Sequence, residues 1–178
     1  MPRDHRHAPI PRIALIALLA LAACSPTYNW REVRTPDGGL KALLPCKPDQ
    51  GTRTQNLGTQ VVEVQMLGCE AGGALYAIAA ASVGAQGQAG TVLSQWQART
   101  LENMRAASPR VSPFALAGAA QDPAPVSVQA LGVGPDGRAV TLQAVWFARG
   151  DRVYQAALYA ETVREEQSEP FFSGLALP

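Results

Sequence analysis

Val140, Leu142, Ala144 and Trp146 alternate with Thr141, Gln143 and Val145, a period of two that reads as an interior strand of a sheet. The same logic extends to both sides. Val126–Val133, Arg138–Arg149 and Arg152–Thr162 read as a three-strand meander, closed by Gly134-Pro135-Asp136-Gly137 and by Gly150-Asp151, where glycine suits the first position of a tight hairpin turn. Arg149-Gly150-Asp151 also spells a tripeptide recognised by integrins, but the turn demands these residue types by itself. Earlier, Trp30–Thr35 and Leu40–Leu44 flank Pro36-Asp37-Gly38-Gly39 as a hairpin, because proline presets φ and glycine permits positive φ. Cys46–Gly58 is polar and punctuated by Pro and Gly, which predicts a surface loop. Val62, Val64 and Met66 mark a half-buried strand, and Ala74–Val83, apolar on both faces between glycines, predicts a central one.

One stretch breaks the period. Leu93, Trp96, Thr100, Met104 and Ala107 fall on one helical face within Thr91–Ala107, predicting an amphipathic helix laid on the sheet, with Thr91 as N-cap and Ser108-Pro109 as its stop. Pro113–Pro125 then predicts a short strand at Phe114–Ala117 followed by an irregular loop. At the end, Thr162-Val163-Arg164-Glu165 has the capping-box pattern, and a closing helix follows, kinked or divided at Pro170, with Phe171, Phe172 and Leu175 as buried anchors. These elements together predict an α+β fold, an antiparallel β-sheet with an amphipathic mid-chain helix and a C-terminal helix.

The N-terminus carries a different message. Arg3, Arg6 and Arg12 precede an apolar run from Ile13 to Ala23, which ends in Leu21-Ala22-Ala23-Cys24. A bilayer span needs about 20 apolar residues, and this run is shorter, so a cleaved address fits better than a transmembrane helix. The segment resembles a bacterial lipoprotein signal, whose lipobox matches Leu21 to Cys24. That resemblance implies cleavage before Cys24 and lipid on its sulfur and new amino group. Residues 1–23 are then signal peptide, 24–29 a lipidated tether, and 30–178 a single domain. In Gram-negative lipoproteins of this type an Asp after the cysteine retains the protein at the inner membrane; Ser25 stands here, so the expectation is an outer-membrane anchor facing the periplasm.

Removal of the leader leaves 155 residues, one ordinary domain. Twelve basic against thirteen acidic residues remain, which gives no basic surface to track nucleic acid. Both histidines, His5 and His7, lie in the leader. Their loss removes Ser-His-Asp and Cys-His catalysis and the histidine-based zinc sites together. Phosphate-binding glycine loops are also missing. No catalytic residue, metal ligand or cofactor site is therefore expected; the thirteen acidic residues allow carboxylate pairs, but their usual setting is beside turns or on the polar side of a strand, where a solvated charge is the default. After Cys24, the remaining thiols are Cys46 and Cys69, an even pair that predicts a disulfide in an oxidising compartment. A plain hairpin of the Leu40–Leu44 and Val61–Leu67 strands would put these cysteines at opposite ends. Pairing Leu40–Leu44 with Ala74–Val83 instead is one arrangement that brings them together.

Over residues 30–177 the order of elements resembles the PsbP-like α/β/α sandwich, shared by an extrinsic photosystem subunit and many small bacterial lipoproteins. The resemblance rests on the hairpin ending in Leu43-Leu44-Pro45, the mid-chain helix, the meander, and the closing run Phe171-Phe172-Ser173-Gly174-Leu175. It implies helices on both faces of an antiparallel sheet and mostly binding or assembly roles, with no binding residue to carry over. The functional expectation is a non-enzymatic envelope lipoprotein, membrane-proximal through the lipid on Cys24, with an envelope protein as partner. The alternative is a small-ligand or lipid carrier with a pocket between helix and sheet.

Overall fold

The computed structural model describes residues 26–57, 60–84 and 88–178. The elements run β1 (Arg31–Arg34), β2 (Lys41–Leu44), β3 (Asp49–Leu57), β4 (Gln60–Ala71), β5 (Ala74–Ser82), α1 (Ala89–Asn103), β6 (Ala107–Pro113), β7 (Val126–Val133), β8 (Ala139–Arg149), β9 (Arg152–Ala160) and α2 (Glu165–Ser173). Seven strands form one antiparallel sheet in the order β3-β4-β5-β9-β8-β7-β6, and β1 and β2 form a separate two-stranded sheet. Strands take up about half of the described residues and helices about a sixth. The fold is thus sheet-dominated, which corrects the expected α+β sandwich. The excess of strand comes from β3 and β6, two edge strands in segments expected to be mainly loop or helix end.

Those edges were hidden for a physical reason. An edge strand of a one-sheet layer buries little, so β3 (DQGTRTQNL) has almost no apolar alternation to display; all but Gln55 and Leu57 are exposed. β6 is exposed along its whole length. The helix also starts earlier than expected: Ala89 opens it, Thr91 lies inside it, and Met104 caps it. Arg105 and Ser108 then take positive φ (both 48°) and turn the chain into β6. The short strand expected at Phe114–Ala117 is instead the irregular continuation of β6.

The sheet has two packed faces. On one, Val62, Val64, Ala79, Ala81, Leu142, Ala144, Trp146, Val153 and Ala157 meet Val92, Leu93 and Trp96 of α1. On the other, Leu67, Tyr76, Ile78, Phe147, Tyr154, Ala156 and Leu158 meet Leu40, Ala42 and Leu44 of the hairpin and Phe171 and Phe172 of α2. Small alanines on β5 and β9 let the covering elements approach the sheet closely, and Trp96 and Trp146 fill the remaining depth. α2 is a single helix with Pro170 inside it, and its cap is Arg164 rather than Thr162. Gln167 makes the reciprocal contact, its Oε1 accepting from the Arg164 amide at 3.0 Å.

Candidate functional site

The chain enters the domain through Tyr28 and Trp30. Trp30 stands edge-on to Tyr76 (ring centroids 5.9 Å apart, 89° between planes), and Tyr76 stands edge-on to Phe171 at 5.4 Å. Tyr28 leans on Trp30 at 5.9 Å. Such tilted pairs each add about 0.5–1.5 kcal/mol beyond burial. Tyr28 lies over the β4–β5 turn: a Cβ on Gly72 would come 2.2 Å from its hydroxyl, and Gly72 has φ +58°. Only glycine satisfies both conditions.

Arg164 and Gln167 close this dock. Arg164 Nη2 donates to the Tyr28 hydroxyl (3.0 Å) and to the Gly72 carbonyl (3.1 Å), while Gln167 Nε2 donates to the same carbonyl at 3.0 Å. Gln167 is fully buried, and its carboxamide is matched on both atoms. The Asn29 amide donates to the Pro45 carbonyl at 2.7 Å, which ties the entering strand to the hairpin. Burial pushes the Tyr76 phenol up to about 12, and the Tyr28 neighbour adds to this. The Tyr76 hydroxyl has no hydrogen-bond partner among the described residues.

Two fasteners hold the hairpin between this dock and the far turn. Cys46 and Cys69 are bonded, with Cα atoms 6.0 Å apart. The geometry that brings them together differs from the arrangement expected. β2 pairs with β1 along its length and with Ala176 at Lys41, not with β5, and the chain leaves β2 to add β3 outside β4, with Asp49 opposite Gly68; Cys46 therefore arrives over Cys69 from above the sheet. At the other end, Asp37 accepts from Arg152 Nη1 at 2.8 Å and from the Tyr154 hydroxyl at 3.3 Å. Burial alone would raise the Asp37 carboxyl, but the Thr35 side chain, the Gly39 amide, Arg152 and Tyr154 hold it below its ordinary value. Gly39 is required here, since a Cβ would lie 2.2 Å from the Tyr154 hydroxyl.

Cys24, the expected lipidation site, lies outside the described residues. Arg149-Gly150-Asp151 forms the β8–β9 turn, with Arg149 bonded to the Pro178 carbonyl and Asp151 accepting from Ser82 Oγ at 2.9 Å. Both of its charged side chains are occupied within the domain. Among the described residues no three His, Cys, Asp or Glu side chains are grouped to hold a metal ion, and no helix is long and apolar enough to cross a membrane. Two concavities among the described residues bear on function. One, of about 520 Å³, lies between Phe114–Ala117, α2 and Leu175–Leu177, with Gln143 in its lining. The other is a groove of about 1060 Å³ at the tether end of the sheet, with Glu70, Leu75, Arg138, Val140, Tyr159 and Glu161 among its walls.

No protein-family model matches this chain, and no curated protein does. Among solved structures, a Pseudomonas aeruginosa protein of unknown function is similar at 16% identity and a TM-score of 0.41, covering 80% of this chain and 90% of its own.

Proposed function

We propose that this protein is a lipid-anchored envelope module whose domain is held against the membrane and serves in binding or assembly, with no catalysis of its own. The observation that carries the reading is the docked tether. Four residue steps separate Cys24 from Tyr28, roughly 13–14 Å at full extension. From Tyr28 onward the chain is fixed to the sheet by Arg164, Gly72 and Tyr76. A lipid on Cys24 would thus hold the β4–β5 turn and the start of α2 within about that distance of the bilayer surface. Tyr28 and Trp30 are residue types that favour membrane interfaces, and both are half-buried in the dock, which supports a role in positioning the domain. The near balance of charge in the mature chain supports a protein partner over nucleic acid.

Lengthening the tether tests this reading. A Gly/Ser linker of about 20 residues inserted between Pro26 and Thr27 leaves the dock intact and adds roughly 25 Å of mean reach. Partner cross-linking in the native envelope should fall sharply. Undiminished cross-linking would contradict a membrane-proximal role.

The carrier reading retains one supporting observation, the open groove beside α2. Its walls include Phe114, Leu116, Phe172, Leu175 and Leu177, and its volume falls within the range of small-ligand sites. It lies at α2, whereas the interface of α1 with the sheet is filled by Trp96, Met104 and Trp146. Native mass spectrometry of protein extracted from membranes would show a retained non-covalent ligand under this reading, and bare protein otherwise.

A further inference from the structure

The two edges of the large sheet are not alike. β6 is blunted by Pro109 and Pro113 and by a register break between Ala107 and Arg110, devices that prevent another strand from pairing there. β3 has none of these: nine residues without proline run in unbroken register with β4. The direction of its backbone groups follows from the adjoining hairpin. Ala71 and Ala74 pair across the two-residue Gly72-Gly73 turn, so the odd-numbered residues of β4 bond to β5 and the even-numbered ones to β3. The partners of those even residues are Asp49, Gly51, Arg53, Gln55 and Leu57. Gln50, Thr52, Thr54 and Asn56 therefore point their N–H and C=O groups outward. Arg99 Nη1, from α1, donates to the Asn56 carbonyl at 2.8 Å, which agrees with this parity and covers the far end of the edge. Gln50, Thr52 and Thr54 remain as an exposed row of donors and acceptors with no partner among the described residues.

We propose that this edge pairs antiparallel with β3 of a second copy of the chain, with Gly51 on the two-fold axis. The charges select both occupant and register. Asp49 and Arg53 share one face of β3, flank Gly51 symmetrically, and take part in no ion pair among the described residues. With Gly51 at the centre, Asp49 of each copy faces Arg53 of the other, giving two cross-strand ion pairs, while Gln50 and Thr52 exchange backbone bonds on both sides. Centring on Gln50 would set Arg53 against Lys47, and centring on Arg53 would set it against itself. Centring on Thr52 leaves Arg53 facing Gly51. Gly51 also has no reason within its own chain to be glycine, since it lacks a positive φ and its Cβ position is open space. At the centre of the pairing it would face its own symmetry mate in a non-hydrogen-bonded pair, where Cα atoms approach to about 4.5 Å. A two-fold axis normal to the sheet keeps the hairpin and α2 side of both copies facing the same way, so both tethers could reach one bilayer.

Cysteine substitutions in the full chain, expressed to its native membranes, read the pairing and its register directly. Gly51→Cys should yield a disulfide-linked species of twice the mass on a non-reducing gel, which disappears on reduction. Arg53→Cys alone should stay monomeric, because its nearest symmetry mate is four residue positions away, whereas Asp49→Cys with Arg53→Cys should link. Thr52→Pro removes an outward N–H that β4 does not use; it should abolish the Gly51→Cys link while the Cys46–Cys69 bond still forms. Failure of Gly51→Cys to link, its linkage to a different protein, or equal linkage of Arg53→Cys alone would overturn the proposal.

Discussion

Asp37 and Arg152 meet at 2.8 Å across the gap between the hairpin turn and the last sheet strand, and the Asp37 side chain is 3% exposed while that of Arg152 is 36% exposed. A carboxylate so placed is held by hydrogen bonds more than by charge alone, because removal of any partner leaves a desolvated oxygen. Asp37→Ala should therefore destabilise the domain by about 1–3 kcal/mol, with the loss read as a lower midpoint in urea unfolding.

The same contact sets an acid limb. The folded Asp37 carboxyl sits below its ordinary 3.8, so its contribution is present above that value and is lost as pH falls through the depressed one. Thermal unfolding followed from pH 6 down to about pH 2 should show a steeper fall for the parent protein than for Asp37→Asn. Parallel curves would remove Asp37 from the account.

An alkaline limb follows from the phenols. Burial raises Tyr76, Tyr154 and Tyr159 each to about 12, and for Tyr154 the Asp37 charge adds to the effect. The unfolded chain releases these protons first, so stability should be intact below pH 10 and decline as pH rises from there toward 12. Absorbance titration of the phenolate checks the values, and unfolding at pH 9 and 11 checks the slope.

The disulfide spans 23 residues of sequence and joins the hairpin to β4. Cys46→Ala or Cys69→Ala should each cost about 2–5 kcal/mol, measured by calorimetry under non-reducing conditions. Because Asp37 still fastens the opposite end, the hairpin should loosen at the β2–β3 connection first, visible as faster amide exchange at Leu43 and Leu44.

The tether dock makes a separate expectation. Gly72→Ala places a methyl group against Tyr28 in a backbone region that alanine disfavours. It should release residues 26–30 to limited proteolysis and cost about 1–2 kcal/mol, whereas Gly73→Ala, which also has positive φ but open space, should leave Tyr28 docked.

Elements that bury a face were legible in the sequence, and elements that do not were not. β8 and β9 read as interior strands and lie at the sheet centre, buried on both faces, and Trp96 sits where the helical stripe placed it. β3 offered only threonines amid polar residues, and an exposed edge imposes no hydrophobic period to read. The placement of the hairpin is not legible because proximity of Cys46 to Cys69 is satisfied equally by strand pairing and by stacking one layer over another. The dock was invisible for a simpler reason: Tyr28 and Arg164 lie 136 residues apart, and a single arginine beside a single tyrosine makes no local pattern.

Mass spectrometry of the protein isolated from its native envelope reads whether a lipid on Cys24 holds this domain at a membrane. The expected species is a mature chain beginning at Cys24 and carrying a diacylglyceryl group with or without a third acyl chain, recovered with the membrane fraction. A chain that keeps Met1–Ala23, or one that begins at an unmodified Cys24 and is released in soluble form, would contradict it.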